Sequence, residues 1–153
     1  MIGLLTPSIS YDSSITVNVP VEKAFSLFSD TSKMKNWMPG FVSLKLDSGN
    51  TIARGSKMTL ILIQDGQEYD MTETMTTFIP NQHYSYLLEN VVLHNQVDIL
   101  FTPIGNSTTI KVNNLVIGNN IIWRSVFYFY KKRLVQLNKE IYSNLKKMIE
   151  SQP

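Results

Sequence analysis

The chain has 153 residues, a formal net charge of +2, 43% hydrophobic and only 17% charged residues, so one domain around one core is expected and a nucleic-acid partner is not. With no cysteine and only His83 and His94 as histidines, disulfide scaffolds, iron–sulfur clusters, thiol nucleophiles and multi-histidine metal centres are excluded, and no metal or cofactor is expected. No apolar run approaches the ~18 residues of a membrane span, and residues 1–10 lack the basic start and long apolar stretch of a signal peptide, so the sequence reads as a cytoplasmic protein without stable membrane insertion.

Residues 9–19 end in an alternation, Ile15, Val17 and Val19 against Thr16 and Asn18, whose period of two predicts a half-buried strand stopped by Pro20. Val21, Ala24, Phe25, Leu27 and Phe28 then recur at helical spacing. Ser29 and Asp30 close this helix, and Ser32 is placed to cap a second one through Lys33–Trp37 before Pro39 and Gly40 break it. From Phe41 to Ile117 six strands are predicted, near 41–47, 56–64, 67–79, 83–90, 95–104 and 108–117. The turns between them, such as Asp65-Gly66, Pro80-Asn81 and Gly105-Asn106-Ser107, are too short for crossover helices, so neighbouring strands run antiparallel. Asn106-Ser107-Thr108 also spells a glycosylation sequon, read here as turn chemistry. After Gly118-Asn119-Asn120 one long helix is predicted from about Ile121 to Ile149. Its stripe of Trp123, Phe127, Tyr130, Leu134, Leu137, Ile141, Leu145 and Met148 is expected to lie on the sheet.

Four stretches in this order carry a resemblance: ITVNVPVEKAFSLFSDTSKMKNWMPG at 15–40, VSLKLDSG with Gly55 at 42–55, MTETMTTFIPNQHYSY at 71–86, and the terminal helix. They resemble the helix-grip superfamily of START-like proteins, polyketide cyclases, pollen-allergen-like proteins and coenzyme-Q-binding proteins, often called SRPBCC. The resemblance implies a single α+β domain over 1–153, with a curved seven-stranded antiparallel sheet wrapped around the long C-terminal helix, two short helices between strands 1 and 2, and an apolar cavity between sheet and helix. It implies no catalytic residue set, because these proteins share a scaffold and not a chemistry. Rieske-type metal ligands, a full glycine-rich loop and hormone-receptor gate and latch motifs are not matched here.

Tyr69, Met71, Glu73, Met75 and Thr77 share one strand face by their period of two. If that face is concave, Glu73 points into the cavity with a raised pKa and is placed to move a proton or orient a ligand group; if a bulge shifts the register, Glu73 is solvated. Met58, Leu60, Tyr84, Tyr86, Ile99 and Phe101 would complete an adaptable apolar wall. Trp37, Met38, Pro39 and Phe41 stand where a lid is expected, and Trp123, Phe127 and Tyr130 would close the cavity from the helix. The segment IIWRSVFYFY is apolar nearly all round and needs covering, by the chain's own loops or by a homodimer through Ile121–Tyr130, or else as a cavity lid or a membrane-surface contact. Residues 120–153 hold 7 of the 14 basic side chains and 2 of the 12 acidic ones, a basic helix against a mildly acidic remainder. Arg124 opposes the helix dipole and is expected to pair with Asp98 or Glu73. Neither histidine sits in a recognisable setting with a serine and an acid, so no nucleophilic triad is expected.

Three functions follow as alternatives. The first is binding or transport of a small hydrophobic molecule, such as a lipid, quinone or polyketide-like aromatic, without catalysis. The second is a cyclase or dehydratase using Glu73 with Tyr84 or Tyr86. The third is an interaction module resembling chaperone ATPase activators of this scaffold, docking through Ile121–Tyr130.

Overall fold

A computed structural model describes residues 8–153; residues 1–7, the start of the N-terminal stretch read above, lie outside the described residues. Strand β1 (Ile9–Val17) leads through Pro20 into α1 (Val21–Ser29) and a 3₁₀ helix (Thr31–Asn36). Six strands follow: β2 (Phe41–Leu46), β3 (Lys57–Gln64), β4 (Gln67–Ile79), β5 (His83–Glu89), β6 (Leu93–Ile104) and β7 (Ser107–Gly118). The chain ends in α2 (Ile121–Ser151). The second short helix is 3₁₀, and its cap is Asp30, whose carboxylate accepts from the Ser32 amide and hydroxyl, where the sequence pointed to Ser32 itself.

All strands pair antiparallel in one curved seven-stranded sheet ordered β1-β7-β6-β5-β4-β3-β2. The meander β2 to β7 closes on β1 because β1 pairs with β7 along its whole length, Ile9 opposite Val116 through Val17 opposite Thr108. This is the helix-grip architecture: the long helix is held inside the curve of the sheet.

The grip is tight at one end only. In the C-terminal half of α2, Tyr142, Leu145, Met148 and Ile149 are buried with Val17, Ala24, Phe25 and Phe28. Polar ties hold the same end: the Asn18 amide donates to Glu150 Oε1, Lys146 donates to the Thr16 carbonyl, and Lys23 donates to the carbonyls of Gln152 and Pro153. Rings fill the space beneath. Phe25 and Phe28 meet Phe101 edge-on at 5.1 and 5.4 Å, and Phe28 also meets Tyr84 edge-on at 5.0 Å and stacks on Trp37 at 5.7 Å. Such pairs add to the free energy of burial itself.

The N-terminal half of α2 starts well, with Asn120 Oδ1 accepting from the amides of Ile122 and Trp123. It then runs clear of the core. Ile122 is 69% exposed, Phe129 71% and Tyr130 56%, so among the described residues this segment is not covered by the chain's own loops, and Tyr130 leaves the expected stripe. Arg124 also departs from expectation. Its Nε donates to the Gly118 carbonyl at 3.1 Å and satisfies an acceptor next to the helix start, which offsets its unfavourable place on the dipole.

The segment after the 3₁₀ helix is pinned to β3 by Gly40. Its carbonyl accepts from the Ile63 amide at 2.8 Å, its φ is +74°, and a Cβ there would lie 2.0 Å from the Ile63 carbonyl oxygen. Gly49, at φ +76°, has open space around the same position. Gly40→Ala is therefore expected to destabilise the protein by well over the ~1–2 kcal/mol of a left-handed alanine, and Gly49→Ala by that amount at most, as read by urea unfolding.

Candidate ligand site

Between the sheet and the middle of α2 lies a cavity of about 190 Å³. Leu60, Leu62 and Gln64 of β3, Met71 of β4, and Tyr86 and Leu88 of β5 form one wall. Leu93, Asn95 and Val97 of β6, Asn114 and Val116 of β7, and Tyr11 of β1 form the other. Leu134, Leu137, Asn138, Ile141 and Tyr142 of α2 make the roof, and Met38 and Pro39 close one end. The alternation of each strand supplies this lining, since every second side chain faces the helix.

A second, much smaller void of about 20 Å³ adjoins it, with Met38 and Tyr86 common to both linings. Glu73, Tyr84, Trp37, Phe28 and Met34 surround it. At that size it has room for about one water molecule.

Glu73 is 3% exposed and faces this void. The bulge in β4 does exist, but it falls between Met75 and Thr77, beyond Glu73, so the carboxyl keeps its inward direction. Past the bulge the face changes: Thr77 pairs with Ser85 and leaves the inner face, while Phe78 packs on the core opposite Tyr84. Burial pushes the Glu73 carboxyl up to about 7. The phenols of Tyr84, Tyr86 and Tyr142 are raised by burial and further by the nearby Glu73 charge, and burial raises Tyr11 to about 12. At neutral pH the interior thus holds neutral phenols around one carboxyl poised between its two forms.

Two buried side-chain polar atoms lack a hydrogen-bond partner among the described residues, Trp37 Nε1 and Asn95 Oδ1. They fall in different places. Trp37 borders the small void beside Glu73, and Asn95 borders the larger cavity.

Of the wall residues expected from sequence, Leu60, Met71 and Tyr86 line the cavity, and Glu73, Tyr84 and Trp37 surround the adjoining void. Met58, Met75, Ile99 and Phe101 pack in the solid core, and Phe41 packs half-buried against it. Tyr69 is 40% exposed, bonded to Gln67 at the β3–β4 turn, so the period-two face it begins has run past the edge of the core. Trp123 and Phe127 are half-buried and lie tilted against each other with ring centroids 6.0 Å apart, and Tyr130 is exposed. Of the expected lid, Met38 and Pro39 serve as cavity wall while Trp37 is an anchor in the aromatic cluster. Sequence reasoning did not find the polar members Asn95, Asn114 and Asn138. For Asn95 and Asn114 the signal was an asparagine at an inward strand position, Asn95 in step with Val97 and Asn114 in step with Val112 and Val116.

On the opposite face of the sheet the structure corrects another expectation. His83, Ser85 and Asp98 do come together: His83 Nε2 lies 2.5 Å from Asp98 Oδ1 and 2.8 Å from Ser85 Oγ, and the serine hydroxyl also donates to Asp98 at 2.5 Å. Strand pairing, with Ser85 opposite Asp98, creates the cluster, so its members are far apart in sequence. It is not a relay. Acid and serine share one ring nitrogen, whereas a nucleophilic triad needs them on opposite nitrogens. Burial alone would raise the Asp98 carboxyl, but the hydrogen bonds from Ser85 and His83 outweigh it and hold it below its ordinary value. This engagement also removes Asp98 as the partner of Arg124.

With the fold and cavity established, comparison with known proteins identifies the family. A model of "Polyketide cyclase / dehydrase and lipid transport" proteins matches residues 8–150. The chain belongs to this polyketide cyclase / dehydrase and lipid transport family. Among solved structures, the chain is similar to TTHA0849 from Thermus thermophilus at 13% identity, with 92% of this chain and 97% of that one covered and a TM-score of 0.75. Ara h 8.0201 is similar at 13% identity, covering 95% and 99%, with a TM-score of 0.72. The di-domain ARO/CYC BexL from the BE-7585A biosynthetic pathway is similar at 13% identity with a TM-score of 0.73, covering 97% of this chain and 52% of BexL. At these identities the structural likeness concerns the fold. No curated protein matches the chain. Among the described residues no helix is long and apolar enough to cross a membrane.

The buried carboxyl has a measurable consequence. Between pH 4.5 and about 7 the folded protein keeps a proton on Glu73 that the unfolded chain releases, so this group's contribution to stability falls as pH rises through that window, by about 3 kcal/mol in total. Glu73→Gln is expected to remove that slope and to be more stable than wild type above pH 7, as measured by denaturant unfolding of both proteins across the range.

Proposed function

We propose that the protein binds a small hydrophobic molecule in the cavity between the sheet and α2, as a carrier or receptor without catalysis. The observation that carries this reading is the cavity of about 190 Å³ with a mainly aliphatic and aromatic lining. Family membership supports the same class of activity, lipid transport or polyketide chemistry. Volume sharpens the class. An apolar cavity of about 150 Å³ holds benzene, and typical ligand pockets begin at about 300 Å³, so the site fits a single ring or a short chain better than a fused polycycle. A quinone or polyketide-like aromatic of larger size would need Tyr86 or Met38 to move and join the two spaces.

The cyclase or dehydratase reading draws support from Glu73 buried beside Tyr84 and Tyr86 with its carboxyl raised to about 7. Against it, Glu73 is not among the residues that line the cavity; it borders the adjoining void, whose lining shares only Tyr86 and Met38 with the cavity. Binding is therefore the better-supported function. A panel of single-ring and short-chain apolar compounds is expected to raise the melting temperature of the wild type, and Leu137→Trp, which fills the cavity, to abolish the rise while leaving the fold intact. No shift with any compound, and no molecule extracted from the purified protein, would overturn the reading.

The uncovered start of α2 supports self-association as an accompanying property. Ile122, Val126 and Phe129 recur at i, i+4 and i+7, all exposed, and form an apolar stripe suited to a second copy of the chain. Sedimentation is expected to show a dimer at micromolar concentration that becomes a monomer in the Ile122→Glu, Phe129→Glu double variant, with little change in melting temperature because both side chains are already exposed.

A further inference from the structure

We propose that the molecule bound in the cavity carries a neutral hydroxyl group, alcohol or phenol, that donates a hydrogen bond to Asn95 Oδ1. The proposal rests on the cavity-binding reading and adds the polar chemistry of the ligand and the place where that chemistry is read.

A line of amides runs through the interior and stops at the cavity. At its far end Ser13 Oγ on β1 accepts from Asn138 Nδ2 on α2 at 2.9 Å. Asn138 Oδ1 accepts from Asn114 Nδ2 on β7 at 3.3 Å, and Asn114 Oδ1 accepts from Asn95 Nδ2 on β6 at 3.2 Å. Each link uses the amide donor of one side chain and an oxygen of the next, a carbonyl in two links and the Ser13 hydroxyl in the last. The carbonyl left over at the end is Asn95 Oδ1, a buried atom without a partner among the described residues, on a side chain that belongs to the cavity lining.

Such a line is costly where it stands. Asn114 and Asn138 are each 7% exposed, and the neighbours of Asn114 on the same face of β7, Val112 and Val116, are buried valines. Apolar residues there would pack with no polar group to satisfy. Asn114 and Asn138 are buried and Asn95 half-buried, so their hydrogen bonds have to be met within the protein, and a buried amide oxygen left unpaired is destabilising. A hydroxyl on the ligand completes the line, and the aligned dipoles behind Asn95 strengthen the acceptor it meets.

The rest of the cavity decides which donor. Among the described residues no carboxylate lines it, since Glu73 faces the smaller void, so an ammonium group would be buried without a counter-charge. A hydroxyl brings one donor and no net charge, and its apolar frame meets the leucines around it. The line read in the opposite sense, with Ser13 donating and all three amides turned, would present an N–H to the cavity and would select a carbonyl ligand.

The test compares three ring compounds of nearly equal size, p-cresol, toluene and benzaldehyde, binding to the full-length wild type and to Asn95→Leu, by calorimetry. The wild type is expected to prefer p-cresol to toluene by about tenfold despite the better hydration of the phenol, with benzaldehyde weakest of the three. Asn95→Leu should bind toluene at least as well as the wild type, which shows an intact cavity, and should lose the preference. In the wild type alone, the Asn95 side-chain amide signals in NMR should move with p-cresol and not with toluene, a readout that does not depend on the variant folding. Equal binding of p-cresol and toluene, a preference for benzaldehyde, a cresol preference that survives in Asn95→Leu, or unmoved Asn95 signals would each overturn the proposal while leaving cavity binding in place. Failure of all three compounds to bind would instead overturn the cavity-binding reading on which it rests.

Discussion

The structure depends on a one-ended clamp. Leu145 and Ile149, both fully buried, lock the last turns of α2 onto Val17, Ala24 and the Phe25–Phe28–Phe101 cluster, with ties through Asn18, Lys23 and Lys146 at the same end. There the inside of the sheet is filled by rings and methionines. One to three turns earlier Leu134, Leu137, Asn138 and Ile141 of the same helix line the cavity. Further back it leaves the core and exposes Ile122 and Phe129. Core, cavity and exposed stripe are thus three successive states of one helix moving away from its clamp.

Within that frame the interior polarity is organised in two separate places. A carboxyl, two phenols and an indole N–H gather at the small void under the clamp, while an amide line ends at the larger cavity. Tyr86 and Met38 stand between them. Apolar area supplies most of a ligand's binding free energy with little discrimination, and the few convergent polar groups supply the discrimination. The separation is what favours binding over acid–base chemistry here, because the carboxyl that burial raises to about 7 is not part of the cavity lining.

The strand boundaries and the helix were legible in the residues because each rests on a local signal: turn pairs such as Asp65-Gly66 and Gly105-Asn106, and the alternation of Ile15 and Val17. The direction of Glu73 was not. Two registers were open, and only the position of the bulge, between Met75 and Thr77, kept Glu73 inside while sending Thr77 out and Phe78 in. The fate of Met58, Met75, Ile99 and Phe101 was equally hidden. An inward apolar side chain lines a space or fills the core according to what stands across from it, and that neighbour comes from α1 or α2, far away in sequence. His83, Ser85 and Asp98 make the same point on the outer face, brought together by the pairing of β5 with β6.

By itself, then, the sequence determined the class of the molecule: a chain without cysteine, an antiparallel meander and a basic terminal helix, because periodicity, turn chemistry and composition act over a few residues at a time. Tertiary structure alone decided where the hollow lies, that Glu73 is buried but outside it, and that Asn95, Asn114 and Asn138 join into one line. Those outcomes are set by distances between elements remote in the chain. Such distances follow from how the clamp seats α2 on the curved sheet, and no local pattern records them.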